Sequence, residues 1–222
     1  MKLFSPLKSV LVAATMLVTA IAPSFAAQTD DAKAMVQNLA TEAISILGND
    51  EQGHEAKIDA FTVLLSRDVD LEFVARFVLG RYWRTVQQDR LDEYVDIYGT
   101  YLIRANASRL SAYSGEQIEV VSAIEEKAGR YIVKSVVRQT NGGEDINIDW
   151  RVRDRGPDAG LKIVDIMIEG ISMALTQRDE FKAVMQKSPK DIAPLINIMQ
   201  KKIDDSKTGD STSDAKVADN AG

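Results

Sequence analysis

The sequence predicts an α+β protein, in which a curved antiparallel sheet of about four strands is packed by N- and C-terminal helices around an apolar pocket. Three observations lead to this fold class. Apolar residues recur with helical spacing before residue 114, alternate with polar residues between 117 and 168, and return to helical spacing afterwards. Short turns separate the alternating segments, which favours an antiparallel meander with one face against the helices and one wetter face.

Residues 1–26 have the features of a cleavable secretory signal. Basic Lys2 and Lys8 precede an apolar run from Val10 to Ile21, and small Ser24 and Ala26 follow it. The run is shorter than the roughly 20 residues that a bilayer crossing requires. The sequence contains no cysteine, which excludes a lipoprotein anchor, disulfides and thiolate metal sites. We therefore predict cleavage after about Ala26 and a periplasmic location, which suits an exported domain without disulfides.

The remaining chain is predicted to form one domain, residues 27–203, followed by a disordered acidic and polar tail, residues 204–222. Without Lys2 and Lys8, the formal charge changes from −6 to −8. This acidity argues against nucleic acid as a partner and against lasting adhesion to anionic membranes. Val217 is the only large apolar residue of the tail, so the tail buries too little surface to offset its ordering entropy.

Four helices are predicted before the sheet. The third is unusual, because three of its four i, i+4 rows are apolar and only the row through Asp68, Arg76 and Gly80 is polar. Such a helix is expected to be largely enclosed. The predicted ranges are 31–47, 52–66, 69–86 and 89–110.

Four strands and two further helices are predicted downstream. Asn141-Gly142-Gly143 suits the tight turn of a hairpin. The last helix is expected to begin at Ser188-Pro189, with a hydroxyl cap and proline in the first position. The strands are predicted at 117–125, 130–140, 145–153 and 161–168, and the first of the two helices at 173–187.

The sequence offers little to support catalysis. His54 is the only histidine, and one imidazole makes neither a zinc site nor an acid–base pair. Gly-rich phosphate loops and nucleophile elbows are not found. We predict no catalytic residue, no metal, no cofactor and no enzyme activity. The abundant apolar residues form either a filled core or the wall of a cavity, and periodicity does not separate the two.

Two segments resemble a known family. Residues 73–84, FVARFVLGRYWR, are similar to the "vLG-x-yWr" helix of the MlaC-type periplasmic phospholipid-binding proteins, the toluene-tolerance family. Residues 163–172, IVDIMIEGIS, followed by Arg178 and Phe181, resemble that family's "vyDv-x-iEGiSl…yR-x-F" segment. The resemblance covers residues 31–203. Two places depart from the pattern: Gln177 stands where an aromatic residue or an Asn-Tyr pair is usual, and residues 156–161 replace a Gly-x-Trp-Lys turn.

The resemblance implies a soluble carrier that shuttles phospholipid across the periplasm and so maintains outer-membrane lipid asymmetry. Its implied partners are an outer-membrane lipoprotein–porin complex and the substrate-binding ring of an inner-membrane ABC transporter. Exposing acyl chains to water costs about 0.8 kcal/mol per methylene, so such a carrier encloses them while the headgroup stays hydrated. Stable membrane insertion is not expected.

Candidate lipid-binding residues follow from their apolar faces and their positions in the motifs. Asp165, Glu169 and Arg178 are instead expected to be structural, because they lie where a strand leads into a helix and can fix that corner by hydrogen bonds. The predicted pocket residues are Phe73, Phe77, Val78, Tyr98, Leu102, Val133, Val137, Ile148, Trp150, Ile166, Ile168 and Met173.

Two alternatives remain open from the sequence. A curved sheet wrapped by helices also builds small cavity enzymes of the isomerase or dehydratase type, for which Asp149 or Asp165 would be the base. Asp149 is predicted on the polar strand face, and neither carboxylate has an evident partner that would tune it. An adaptor that binds only protein is the third possibility.

Overall fold

The computed structural model describes residues 25–105, 113–140 and 142–207, and it confirms the α+β class. Helices α1 to α4 and a short 3-10 helix precede the sheet, and α5 and α6 follow it. The helices are α1 (Phe25–Leu47), α2 (His54–Asp68), α3 (Leu71–Leu79), the 3-10 helix (Gly80–Arg84), α4 (Gln88–Arg104), α5 (Met173–Met185) and α6 (Ala193–Lys207).

The sheet is a single open antiparallel meander in the order β1-β2-β3-β4-β5. Strand β4 has the predicted bounds, whereas β5 adds two residues that were not expected to form a strand. Asn141 of the predicted hairpin turn lies outside the described residues. The strands are β1 (Gln117–Lys127), β2 (Arg130–Arg138), β3 (Ile146–Asp154), β4 (Leu161–Ile168) and β5 (Ile171–Ser172).

Strand register gathers the large apolar residues on one surface of the sheet. Val133 pairs with Trp150, which pairs with Ile166. Two residues further along the strands, Ile148 pairs with Ile168. Directly opposed residues share a face, and so do residues two apart in one strand. All six predicted strand residues therefore lie together on what we call the apolar sheet face.

The prediction of a single helix over residues 69–86 is wrong, because the α-helix ends at Gly80. Gly80 has a φ of +60°, and α3 ends there before the tighter 3-10 helix begins. A Cβ at this position would lie 3.2 Å from Nε and Nη2 of Arg178. The glycine thus allows both a left-handed backbone and a close approach of α5 to α3.

Other predicted boundaries also change. Helix α1 begins at Phe25, so the predicted cleavage after Ala26 falls within its first turn, and residues 1–24 lie outside the described ranges. The last helix begins at Ala193 rather than at Pro189, because residues 188–191 form a turn closed by Ser188 and Asp191. It continues to Lys207, so residues 204–207 of the predicted tail are helical, and 208–222 are not described.

The buried apolar residues form two main cores. The helical core contains residues of α3, the 3-10 helix, α4, α5 and α6. The sheet core contains residues of α1 and α2 and of strands β2, β3 and β4. Val69, between α2 and α3, packs against both. None of the helices within the described ranges is long and apolar enough to cross a membrane.

Candidate functional site: an apolar sheet face covered at one end

The apolar sheet face is unevenly covered along its strands. At one end, which we call the covered end, Tyr131, Val133, Trp150, Val152 and Ile163 are each at most 7% exposed. At the other end, which we call the open end, apolar side chains of the same face are partly exposed to solvent. The open end consists of Ile118, Val137, Ile146, Ile148 and Ile168, all half-buried.

Helix α1 accounts for the closure of the covered end. Its buried Ala32, Val36 and Leu39 belong to the sheet core, as does Leu64 of α2. The hydroxyl of Tyr131 donates to Gln28 Oε1 at 3.0 Å, near the start of α1. Helix α1 then runs towards Tyr113, just before β1, where Gly48 approaches the tyrosine ring. The covered end is thus a filled core, whereas Ile166 beside it and the residues of the open end stay half-buried.

None of the predicted pocket residues is exposed, but the structure divides them among the two cores and the open end. Val133 and Trp150 are buried in the sheet core, and Ile148 and Ile166 pack against it. Val137, Ile168 and Met173 are half-buried and lie at the open end or beside it. The remaining five are in the helical core or pack against it: Phe73, Phe77, Val78, Tyr98 and Leu102.

The two phenylalanines of α3 are covered by guanidinium groups. The Cζ atoms of Arg153 and Arg155 lie 5.3 and 5.7 Å from the ring centroid of Phe73. Arg178 Cζ lies 5.1 Å from that of Phe77. Arg153 belongs to β3 and alternates with the apolar Val152, so α3 meets the sheet on the side away from the apolar face. Stacked arginines shield these rings while keeping their charge in water.

Tyr98 lies at the centre of an aromatic cluster rather than at a free surface. Its ring centroid is 5.7 Å from that of Tyr94 and 6.4 Å from that of Phe181. The Tyr98 hydroxyl donates to Gln177 Oε1 at 2.5 Å, so Gln177, where the chain departs from the family pattern, has a structural role. Burial raises the pKa of Tyr98 and of Tyr94, which keeps both phenols neutral.

Asp165 is the buried acid of the corner between β4 and α5, as expected. Its Oδ2 accepts the Ser172 hydroxyl at 2.6 Å, and its Oδ1 accepts the Ala174 N–H at 3.1 Å. Arg151 Nη1 lies 3.4 Å from Oδ2. Both oxygens are thereby engaged in joining the strand to the helix, which argues against the alternative of Asp165 as a catalytic base.

Glu169 and Arg178 also make contacts within the fold, but with different partners. Glu169 has a φ of +48°, and its carboxylate accepts hydrogen bonds from the backbone and side-chain N–H groups of Asn147. Arg178 packs against Phe77 and Gly80. Within the described ranges, no group of three or more His, Cys, Asp or Glu residues is arranged to hold a metal ion.

A half-open cavity near the open end was missed by the sequence reasoning. It has a volume of about 500 Å³ and lies between the α1–α2 turn and the segment that leads into β1. Leu47, Ile58 and Phe61 supply its apolar wall. The periodicity of α2 marks Ile58 and Phe61 as a core face, and sequence gives no sign that Tyr113 approaches the α1–α2 turn. The polar residues that line it are Asp50, Gln52, His54, Lys57 and Ser114.

Comparisons with known proteins place this architecture in a family. The family model described as MlaC protein matches residues 37–201. The intermembrane phospholipid transport system binding protein MlaC of Haemophilus influenzae is 24% identical over an alignment of 144 residues, which covers 61% of this chain and 67% of that protein. The structure of a phospholipid-binding protein from Ralstonia solanacearum, in complex with a phospholipid, matches with a TM-score of 0.67 at 19% identity. That match covers 79% of this chain and 98% of the Ralstonia chain. Because the family model spans the chain from the middle of α1 to α6, this protein belongs to the MlaC family of phospholipid-binding transport proteins.

Proposed function

We propose that this protein is a soluble periplasmic phospholipid carrier, with the acyl chains held against the open end of the apolar sheet face. The observation that carries the proposal is the uneven cover of that face. Five aligned aliphatic side chains stay half-buried beside a closed end, and together they offer an apolar surface that a ligand can cover. Each square ångström of apolar surface that a ligand removes from water contributes about 25 cal/mol, so an acyl chain is a favourable cover.

Membership of the MlaC family supports the class of ligand. The Haemophilus relative is named as the binding protein of a phospholipid transport system, and the Ralstonia protein was solved with a phospholipid bound. We infer from these names that the ligand of this chain is also a phospholipid. In the proposed role, the protein takes it from one membrane complex and delivers it to another without chemical change, so that catalysis is not required.

The proposed route joins an outer-membrane lipoprotein–porin complex to the substrate-binding ring of an inner-membrane ABC transporter, and maintains outer-membrane lipid asymmetry. Delivery to the periplasm depends on the predicted signal at residues 1–26. A carrier that encloses the chains avoids the exposure cost that keeps free phospholipid in membranes. Transport energy then comes from a partner, because the carrier only binds and releases.

The first test is the identity and amount of lipid bound to the purified protein. Organic extraction followed by mass spectrometry should recover phospholipid in stoichiometric amounts. An empty protein, after expression with its export signal and gentle purification, would contradict the proposal. Turnover of a small carbonyl or hydroxy compound by such a preparation would favour the cavity enzyme instead.

The second test locates the lipid. Ile148→Trp and Val137→Trp each put a larger side chain at the open end. We expect each variant to bind several-fold less lipid while its circular dichroism spectrum shows that the fold is retained. Ile124→Trp is the matched control, because Ile124 is 49% exposed and pairs with Ile132, on the opposite face of the sheet. Equal occupancy in all three variants would mean that the acyl chains lie elsewhere.

A further inference from the structure

We propose that a cationic surface, formed by α3, the 3-10 helix and the end of α5, docks this protein reversibly on anionic membranes. The phosphate groups of anionic phospholipids are its partner, contacted at the membrane surface without insertion. The inference goes beyond the carrier function, because it concerns a surface for the membrane rather than a site for the cargo. We call this surface the basic face, and it consists of Arg76, Arg81, Arg84, Lys182, Lys187 and Lys190.

Two segments of the chain supply the charge of the basic face. Residues 73–88 and 181–190 together contain six basic residues and no aspartate or glutamate. The whole chain has a formal charge of −6, so these segments depart locally from its acidic composition. Acidic residues resume directly after each segment, at Asp89 and Asp191.

The fold brings the two segments together. The Thr85 hydroxyl, just after the 3-10 helix, donates to the carbonyl oxygen of Pro189 at 2.7 Å. On α5, Arg178 contacts Gly80, and Lys182 follows Arg178 by one helical turn on the same side of the helix. All six residues of the basic face are exposed. They therefore present their charges to solvent from one region of the molecule.

The charges of the basic face are not neutralised by neighbours. Among the described residues, none of the six forms an ion pair with a carboxylate, whereas exposed Arg67 and Arg138 each bind two acidic side chains. A cluster of unpaired cations attracts anions more strongly than the same number of ion pairs does.

Two of the arginines are held in place by aromatic rings. Arg76 Cζ lies 5.7 Å from the ring centroid of Trp83, and Arg81 Cζ lies 5.0 Å from that of Tyr82. Stacking occupies the flat side of a guanidinium group, so its edge, which carries the N–H donors, remains for phosphate oxygens.

A membrane surface fits these features. Clusters of about four to eight Lys or Arg residues are typical of sites that bind anionic lipids, and each adds about fivefold to the affinity. Trp83 is half-buried among the arginines, and tryptophan is enriched where proteins meet lipid headgroups. The predicted location between two membranes gives such a surface a partner.

The acidic remainder of the protein makes the docking directional. Exposed carboxylates of α4 line a shallow opening between α4 and α6, and a membrane of the same sign repels them. The protein therefore meets an anionic surface with its basic face first. The overall acidity also keeps the contact weak, which suits a protein that has to leave again. These carboxylates belong to Asp89, Asp92, Glu93 and Asp96.

Docking through the basic face leaves the open end uncovered. Helix α5 is bonded to Asp165, which points away from the apolar sheet face because it precedes Ile166 in β4. Helix α3 also meets the sheet on that side, so the sheet separates the basic face from the open end. In the proposed carrier, a docked molecule keeps its cargo away from the bilayer and available to a protein partner.

Vesicle co-sedimentation tests the docking. The purified protein is mixed with phosphatidylcholine vesicles that contain either no anionic lipid or about 30% phosphatidylglycerol, and we expect binding to the anionic vesicles alone. Raising the salt concentration from about 0.1 to about 1 M shortens the Debye length from about 10 to about 3 Å and should release the protein. Equal binding to both kinds of vesicle would overturn the proposal.

Charge removal locates the contact. A triple variant that loses three of the six charges should bind anionic vesicles at least tenfold more weakly, at about fivefold for each charge. Circular dichroism checks that the fold is retained. The substitutions are Arg84→Gln, Lys187→Gln and Lys190→Gln.

A second triple variant is the matched control. It changes the net charge equally, at exposed positions of β1 and β2 outside the basic face, and we expect it to bind as the wild type does. Equal weakening in the two triple variants would show that only the net charge matters and would overturn the basic face. The control substitutions are Lys127→Gln, Arg130→Gln and Lys134→Gln.

A fluorescent label tests the orientation, because the chain contains no cysteine and one can be introduced alone. Gln186→Cys, beside Lys187, and Gln117→Cys, beside Ile118 of the open end, are both exposed and are each labelled with NBD. On addition of anionic vesicles, we expect the NBD emission to rise at least twofold at position 186 and to stay unchanged at 117. A rise at 117 as large as that at 186 would contradict docking through the basic face.

The failure of docking is distinguishable from failure of the carrier function. If the wild type does not bind anionic vesicles at low salt, the proposal is overturned, and an acidic protein surface becomes the candidate partner of these charges. Stoichiometric phospholipid extracted from the same preparation would show that the carrier function stands without membrane docking.

Discussion

Trp150 and Ser135 are joined inside the apolar sheet face, where the indole Nε1 donates to the serine Oγ at 2.8 Å. The serine hydroxyl lies 3.2 Å from the carbonyl oxygen of Ile148 and donates to it. Trp150 belongs to the covered end and Ile148 to the open end, so this short chain of hydrogen bonds lies at the boundary between them. A buried indole needs such a partner, and a serine provides it within an otherwise aliphatic surface.

Ser135→Ala should lower the free energy of unfolding by about 1–3 kcal/mol, because it leaves the buried indole N–H without an acceptor. Urea denaturation followed by circular dichroism measures the change. Ser122→Ala is the control: Ser122 is half-buried on the other face of the sheet, opposite Lys134. Equal stability of the two variants would show that the hydrogen bond to Trp150 contributes nothing to the fold.

Glu55→Gln should weaken a link between the start of α2 and the end of α4. Arg104 is 8% exposed, and its two terminal nitrogens donate to the two Glu55 oxygens at 3.0 and 2.6 Å. Glu55 is 54% exposed, so we expect a loss of only about 0.5–1 kcal/mol at neutral pH. Glu51→Gln, on the exposed turn before α2, is the control.

The pH dependence of that loss has a defined sign. Hydrogen bonds from Arg104 lower the pKa of Glu55 below its ordinary value of 4.5. A carboxyl group whose pKa is lower in the folded than in the unfolded state stabilises the protein at pH values above the unfolded-state pKa. This contribution is lost as the pH falls through the folded-state pKa. The stability difference between the wild type and Glu55→Gln should therefore be constant above pH 5 and shrink below about pH 4.5. A difference that grows on acidification would contradict the ion pair.

Gly80→Ala should lower the free energy of unfolding by at least about 1–2 kcal/mol, because a non-glycine residue is strained at positive φ and the new methyl group meets Arg178. Thermal unfolding measures it. Gly53→Ala is the matched control, since Gly53 has a φ of −66° and no atom within 4 Å of the position of a Cβ. If the two variants have the same melting temperature, Gly80 is not required for the close approach of α5 to α3.

Period-two alternation was sufficient to predict the apolar sheet face. Val133, Val137, Ile148, Trp150, Ile166 and Ile168 share a face because strand geometry turns every second side chain the same way. Alternation does not tell which of them a helix covers. Cover depends on where α1 lies, and α1 is positioned by contacts distant in sequence, such as that between Gln28 and Tyr131.

Helical periodicity was less informative for the site. Val78 and Tyr98 were predicted as pocket residues because they lie on apolar faces, but both are buried in the helical core, where Tyr98 packs against Phe181. The break at Gly80 was missed because the apolar rows on either side continue in register through the glycine. Glycine at the end of an apolar helical run is itself a stop signal, and applying that rule to Gly80 gives the observed boundary.

If the open end holds acyl chains as proposed, the ligand completes the core of the protein. The half-buried aliphatic side chains next to Trp150 and Ser135 would then become interior on binding. Ligand binding to the native state alone raises stability by mass action, by about 2.7 kcal/mol when free ligand exceeds its dissociation constant a hundredfold. Loaded molecules would then outlast empty ones against heat and proteases, so the population in the cell would be enriched in molecules that hold a lipid.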